Sequence, residues 1–288
     1  MTVVVLTFNE ERNLAACLDS VSGWTDEIFV VDSGSTDGTA LIADRFGARF
    51  ISHPFETHAR QWAWALQALP IGTDWVLALD ADQRVTPELR EAIVEHLQSP
   101  GAIAGCYVPR RQVFRGRWIK HGGYYPKYLL KLFRRDAVEL KDEDLVDHHF
   151  HVSGGLHKLR GDLIEDNRNE ASIFDWIAKH NRYARLQAVV EMNQSSRGQG
   201  RWLGSPDERT TRLKNLWARL PLYARPALYF FYRYVLRFGF LDGKEGFVFH
   251  FLQAFWYRTL VDINIDELRA HPPEQLAAVP AEISHHSG

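Results

Sequence analysis

The 288 residues carry 34 Lys and Arg against 36 Asp and Glu, and 45% of the side chains are apolar. This is a folded composition with room for one sizeable core and an appendage, and a net charge of −2 lacks the basic excess of a nucleic-acid binder. The two cysteines, Cys17 and Cys106, have no metal-ligand spacing, which argues against a disulfide scaffold and fits a reducing compartment.

"MTVVVLTF" (1–8) lacks the basic start of a signal peptide and reads as a first strand. No run reaches the roughly 18 apolar residues of a spanning helix, so a cytoplasmic protein is expected. "VVVLT" (3–7) is continuously apolar, as a strand covered on both faces must be. In the next stretch Leu14, Cys17, Leu18 and Val21 recur at helical spacing, with Asn9 as the expected cap. "EIFVVD" (27–32) is a second strand, followed by "SGSTDGT" and a short helix that stops at Gly47. "ARFI" (48–51) is a third strand, residues 58–69 a helix and "DWVLALD" (74–80) a fourth strand. A further helix begins with Thr86 as cap and Pro87 in its first turn. Strands alternating with helices imply an α/β fold with a largely parallel sheet.

After residue 100, "GCYVPRRQVF" and "YLLKLFRR" read as strands separated by a polar loop, and helical spacing returns at 172–190. The expected organisation is a catalytic-type domain over 1–192, a Gly/Ser/Arg connector over 193–210, a helical segment over 211–268 and a disordered tail over 269–288.

Polar clusters end the expected strands: Thr7 to Glu10, Asp32 to Asp37, Asp80 with Asp82, and the acidic and histidine-rich "KDEDLVDHHFH" (141–151). Ligands of open α/β sheets bind outside those ends. Asp80 and Asp82 alternate onto one side, and paired hard oxygens there suit Mg²⁺ or Mn²⁺ holding a diphosphate; the plain alternative is a turn with Asp82 capping a loop. Asp32 stands at a strand tip where a carboxylate accepts from a base N–H or a ribose hydroxyl, or else serves an ordinary turn. A nicotinamide-binding G-x-G-x-x-G is absent after the first strand, where the chain reads "TFNEERN", and so is a Walker loop.

The ordered set "VVLTFNEERNLAACLDSV", "EIFVVDSGSTDGT", "DWVLALDAD", "YPKYLLKLFRR" and "LRFGFLDGKEGFVFHFLQAFWYR" resembles the inverting family 2 glycosyltransferases of GT-A fold, in the branch of lipopolysaccharide-core β-glucosyltransferases. The resemblance implies a mainly parallel mixed sheet flanked by helices, with an aromatic-rich helical appendage. It implies a nucleotide pocket lined by Thr7, Asn9, Glu10 and Asp32, with Asp80 near ribose and phosphate and Asp82 on the metal. Arg60 and Gln61 would add donor contacts, and Lys131 and Arg134 either face the diphosphate or point outward from an edge strand. The hexosyl donor would be a nucleoside-diphosphate sugar, with UDP foremost. The chain departs from the family pattern at "VDHHF", where His148 takes the usual Glu position. Asp147 is then the expected base, with His148 and Asp144 as alternatives, unless this stretch is a solvated loop.

Between residues 197 and 237 nine Arg or Lys face two acidic residues among many aromatics. That mixture suits the headgroup layer of an anionic bilayer, or else a packing subdomain filled by rings. With the resemblance, it implies a peripheral enzyme on the inner face of the cytoplasmic membrane acting on a lipid-linked saccharide. Transfer to a polyprenyl phosphate, or a silent nucleotide- or membrane-binding scaffold, are the competing readings.

Overall fold

The computed structural model describes residues 1–139, 150–170, 172–193, 217 and 220–270. They form two compact units: residues 1–120 with 124–170, and residues 121–123 with the described residues from 172 onward.

In the first unit, β1 (Thr2–Thr7) lies between two parallel neighbours, β2 (Glu27–Asp32) and β4 (Trp75–Asp80), and β3 (Arg49–Ser52) extends the sheet beyond β2. On the other side, β8 (Lys127–Arg134) runs antiparallel to β4, and then come β6 (Ile103–Phe114), β12 (Leu163–Glu165) and β5 (Gln83–Val85). β7 (Arg117–Trp118) and β11 (Gly155–Lys158) also pair with β6, while β9 (Val138–Glu139) and β10 (His151–Val152) form a separate ribbon. The chain steps from β1 outward to β3 and then crosses back to β4, so the strand order switches direction beside β1. Such a switch opens a crevice at the carboxyl ends of the strands.

The unbroken apolar run of β1 is explained by its two covered faces. Val3 and Val5, with Leu77 and Leu79, pack against Leu14 and Leu18 of α1 (Leu14–Val21) and Leu89 and Ile93 of α4 (Pro87–Gln98). Val4 and Leu6, with Val76 and Ala78, meet Trp62 and Ala65 of α3 (His58–Ala68). Each of the Val, Leu and Ile side chains removed from water contributes about 1.5–3 kcal/mol. α2 (Thr39–Arg45) adds Ala43 to the first face.

Thr86 caps α4, accepting from the Leu89 amide at 3.3 Å, with Pro87 in the first turn as its sequence indicates. Asn9 does not cap α1: the helix begins at Leu14, and Asn9 has a left-handed backbone (φ 55°) in the loop before it. Nor is β8 an edge strand, since β4 and β6 flank it. Gly161, at φ +80°, turns the chain from β11 towards β12 against the start of α4, where a Cβ would stand 2.2 Å from the Leu89 nitrogen. Gly161→Ala is therefore expected to destabilise the protein by about 3 kcal/mol or more, read as a fall of roughly 10 °C in thermal unfolding.

The second unit is helical: α5 (Ile173–Asn193), α6 (Ala224–Phe231), α7 (Gly243–His250) and α8 (Tyr257–Ala270). Tyr232–Leu236 and Phe251–Trp256 prolong α6 and α7 as π-helix. Ala184 and Ala188 of α5 pack on Val261 and Ile265 of α8, and the buried Arg225 is paired with Asp262 and Glu191 beside them. The expected connector lies almost wholly outside the described residues, as does the expected tail beyond residue 270.

Candidate active site

Parallel pairing puts Thr7 opposite Asp32 and Leu6 opposite Asp80, so the polar ends of β1, β2 and β4 lie at one edge of the sheet. Cys17 of α1 is buried near the β1 and β4 ends of that edge, its Sγ 3.8 Å from the Asp80 carbonyl oxygen. Burial pushes its thiol pKa strongly up, the charges of Asp82, Asp80 and Glu10 push it further, and Lys131 opposes them.

Asp32 is the hub of the rim between β1 and β2. Its Oδ1 accepts from Thr7 Oγ1 at 2.9 Å and Ser35 Oγ at 2.5 Å, and its Oδ2 from the amides of Gly34 at 2.9 Å and Ser35 at 2.7 Å. A carboxylate offers about four acceptor positions, so this 2%-exposed group is spent on shaping the loop. Asn9 clamps the same loop from the β1 side: its amide donates to Ser35 Oγ at 2.7 Å and its Oδ1 accepts from the Thr36 amide at 2.9 Å. The left-handed backbone at Asn9 lets both contacts form, and asparagine tolerates that conformation better than most residues. Glu10 is also buried. Its amide donates to Thr39 Oγ1 at 2.8 Å, and its Oε2 accepts from Asn13 at 2.7 Å and Asn169 at 3.0 Å.

Asp80 and Asp82 have different surroundings. Asp80 Oδ2 accepts from Lys131 Nζ at 2.9 Å and Gln83 Nε2 at 2.8 Å, and Gln83 continues to Glu165 at 3.2 Å, which Arg110 holds at 2.9 Å. Lys131 is 4% exposed, so its charge is neutralised inside the protein by Asp80. Asp82 follows at the lip of β4, half-buried, and its backbone carbonyl accepts from the Asp166 amide at 3.1 Å.

The remaining expected residues divide. Gln61 is buried in α3 and faces the end of β2, with its Nε2 3.4 Å from Ser33 Oγ and its Oε1 2.8 Å from His53. Arg60 is exposed and paired with Glu56, just ahead of its own helix. Arg134 stands opposite Trp75, at the start of β4, because β8 runs the other way; it is held by Asp136 at 3.0 Å, far along the strand from Asp80. Asp144, Asp147 and His148 lie outside the described residues. Sequence reasoning missed Asn13, Gln83, Glu165 and Asn169. A usable signal was present in "LIEDNRN" (163–169), an apolar pair running into acidic and amide side chains like the other strand ends.

The family model described as Glycosyl transferase family 2 matches residues 2–160, more than half of the chain. The lipopolysaccharide core biosynthesis glycosyltransferase LpsC of Rhizobium meliloti is 28% identical over 268 residues, which are 88% of this chain and 90% of LpsC. Polyprenol monophosphomannose synthase of Mycolicibacterium smegmatis is 27% identical over 173 residues, 50% of this chain and 65% of the synthase. Among solved structures, glucosyl-3-phosphoglycerate synthase from Mycobacterium tuberculosis in complex with Mn²⁺, UDP and glucosyl-3-phosphoglycerate superposes with a TM-score of 0.42 at 20% identity, covering 67% of this chain and 78% of that one. Its complex with Mn²⁺ and UDP-glucose gives 0.32 at 28% identity, covering 40% of this chain and 43% of that one. A strand order that switches beside β1, polar groups gathered at that switch, and a family match running from β1 through β11 agree with one another: the chain belongs to glycosyl transferase family 2 and is a glycosyltransferase with a GT-A-like fold.

Proposed function

We propose that the protein transfers a sugar, with inversion, from a nucleoside diphosphate, foremost UDP, to a lipid-linked or lipopolysaccharide-type saccharide at the inner face of the cytoplasmic membrane. The observation that carries this reading is the strand register that brings Glu10, Asp32, Asp80 and Asp82 to the carboxyl ends of β1, β2 and β4. The likeness to LpsC along most of both chains supports the choice of acceptor. No described helix is long and apolar enough to cross a membrane.

Thr7, Asn9, Glu10 and Asp32 serve the nucleotide pocket by building its rim, with Gln61 behind β2 and Arg60 at the surface of α3 in reach of solvent-borne phosphate. The donor set fits a divalent cation at Asp82: a hard carboxylate, half-exposed at the crevice, next to an Asp80 whose Oδ2 is already engaged. Mg²⁺ in such enzymes takes one or two carboxylates and completes its shell with substrate phosphates, so a dedicated protein cage is not required. A bound Mg²⁺ or Mn²⁺ would supply positive charge against the departing diphosphate. Lys131 brings a fixed cation to the same crevice and holds Asp80 near ribose and phosphate.

In the transfer, the acceptor hydroxyl oxygen bonds to the anomeric carbon as the bond to the diphosphate breaks on the opposite face. The hydroxyl proton passes to Asp147, with His148 and Asp144 as the other bases in that stretch. An Asp147→Asn variant is expected to lose about 10²–10⁴-fold in kcat in a UDP-release assay with a saccharide acceptor.

The defining experiment measures UDP release over a panel of UDP-sugars with extracted lipopolysaccharide, in Mn²⁺ and in chelator. Metal-dependent turnover supports the proposal, and nucleotide binding without turnover supports a scaffold. The polyprenol mannose synthase relative favours one second reading, transfer to a polyprenyl phosphate, whose anionic oxygen needs little base assistance. Full activity of Asp147→Asn on that acceptor would select it.

A further inference from the structure

Residues 223–251 bury an unusual share of polar groups beside Pro226 and Phe249. Arg225, Asp242 and His250 are at most 3% exposed, and Gly239 and Gly246 are buried with them. Asp242 accepts from the His121 amide at 2.8 Å and pairs with His121 Nδ1 at 2.7 Å, while Arg233 donates to the Gly122 carbonyl at 2.8 Å. Burial, helped by the nearby charge of Arg233, pulls the His250 pKa down to about 4. The ring is enclosed tightly enough that a Cβ on Gly122 would lie 2.0 Å from it.

Most of the large apolar side chains of the same segment nevertheless face outward. Leu228, Phe231, Tyr232, Val235 and Leu236 follow one another at i, i+3, i+4, i+7 and i+8, a single stripe along α6 and its π-helical continuation, and all are 40–57% exposed. At the turn, Phe238, Phe240 and Leu241 are 57%, 44% and 54% exposed, and on α7 and its extension Phe247 and Phe251 continue the surface one helical turn apart. Phe238 moreover holds a left-handed backbone (φ 60°), unusual for a bulky residue, and turns its ring outward. Scattered exposed apolar residues need no explanation, but a periodic stripe over buried polar groups does.

We infer that this hairpin is a bilayer-interface wedge, its occupant the headgroup layer of an anionic lipid membrane. Two observations choose a bilayer over a protein partner. The cations of the segment lie among the rings, with Arg237 and Lys244 exposed and Arg233 half-buried, against one half-buried acid, Glu245; aromatic rings with basic side chains match the anionic interface. The stretch Ala224–Leu236 is also only 13 residues long, about 20 Å of helix against the roughly 30 Å hydrocarbon core, so it can lie in the interface but not span. The inference rests on the proposed lipid-linked acceptor for its biological sense but not for its evidence.

The test is flotation of the full-length protein with vesicles of phosphatidylethanolamine and phosphatidylglycerol, or of phosphatidylcholine alone, without donor or acceptor. The wild type is expected to float with the anionic vesicles. The variant Arg237→Glu/Lys244→Glu should bind at least about tenfold more weakly and lose its salt dependence. The variant Leu236→Ser/Phe240→Ser should release the protein altogether, with unchanged thermal unfolding and unchanged UDP-sugar affinity. Wild type that stays unbound with both vesicle types overturns the inference, as does concentration-dependent self-association in analytical ultracentrifugation that the serine variant abolishes. Because UDP-sugar binding is measured separately, a failed glycosyltransfer assay leaves this result readable.

Discussion

Replacing Asp82 with alanine is expected to lower kcat/KM about a thousandfold while leaving thermal unfolding within about 0.5 kcal/mol of wild type. The reason lies in where the residue sits. Asp82 is half-buried at the lip of β4, outside the two hydrophobic cores of the sheet, and its backbone carbonyl accepts from the Asp166 amide at 3.1 Å, a bond that alanine keeps. Losing the carboxylate removes a hard ligand without opening a cavity. Mn²⁺ binding followed by electron paramagnetic resonance in the presence of UDP supplies a readout apart from turnover. Unchanged Mn²⁺ binding and unchanged catalysis in this variant would refute the metal assignment.

Asp80→Ala is expected to behave differently, costing about 2–3 kcal/mol of stability in denaturant unfolding as well as activity. Lys131 is 4% exposed and its ammonium rests on Asp80 at 2.9 Å, so removing the carboxylate strands a buried cation. The cost stays below that of a fully enclosed pair because the Asp80 side chain is itself 32% exposed and water reaches it. A double-mutant cycle separates the two contributions: Asp80→Ala/Lys131→Met should recover much of the lost stability but none of the lost catalysis. If Asp80→Ala proves as stable as Asp82→Ala, the buried pair does not exist as described.

The contrast between the two aspartates shows how far the sequence could be read. In "LALDAD" they are equivalent, one residue apart on the same side of a strand. Lys131, 51 residues downstream on β8, separates their roles, because antiparallel pairing of β8 with β4 carries it to Asp80. The same reversal of direction takes Arg134 away to the start of β4, although "KLFRR" makes the two cations look like neighbours with one task. Asp32 was legible as a strand tip, yet not as the hub that Thr7, Gly34 and Ser35 saturate with hydrogen bonds. β5 and β12, at three residues each, left no periodic signal to read, although β12 and the residues after it bring Glu165 to Gln83 and Asn169 to Glu10.

By itself the sequence determined what short-range physics encodes: β1, β2 and β4 from unbroken apolar runs, α4 from Thr86 and Pro87, and the placing of carboxylates at strand ends. It also announced an aromatic, basic C-terminal segment. Only the tertiary structure decided which of those carboxylates carries a buried counter-charge, which one is consumed in holding a loop, and which face of the hairpin turns its rings to the outside. Burial and strand direction are set by partners far along the chain, and a side chain's charge, exposure and free hydrogen-bonding capacity follow from those partners rather than from its neighbours in sequence.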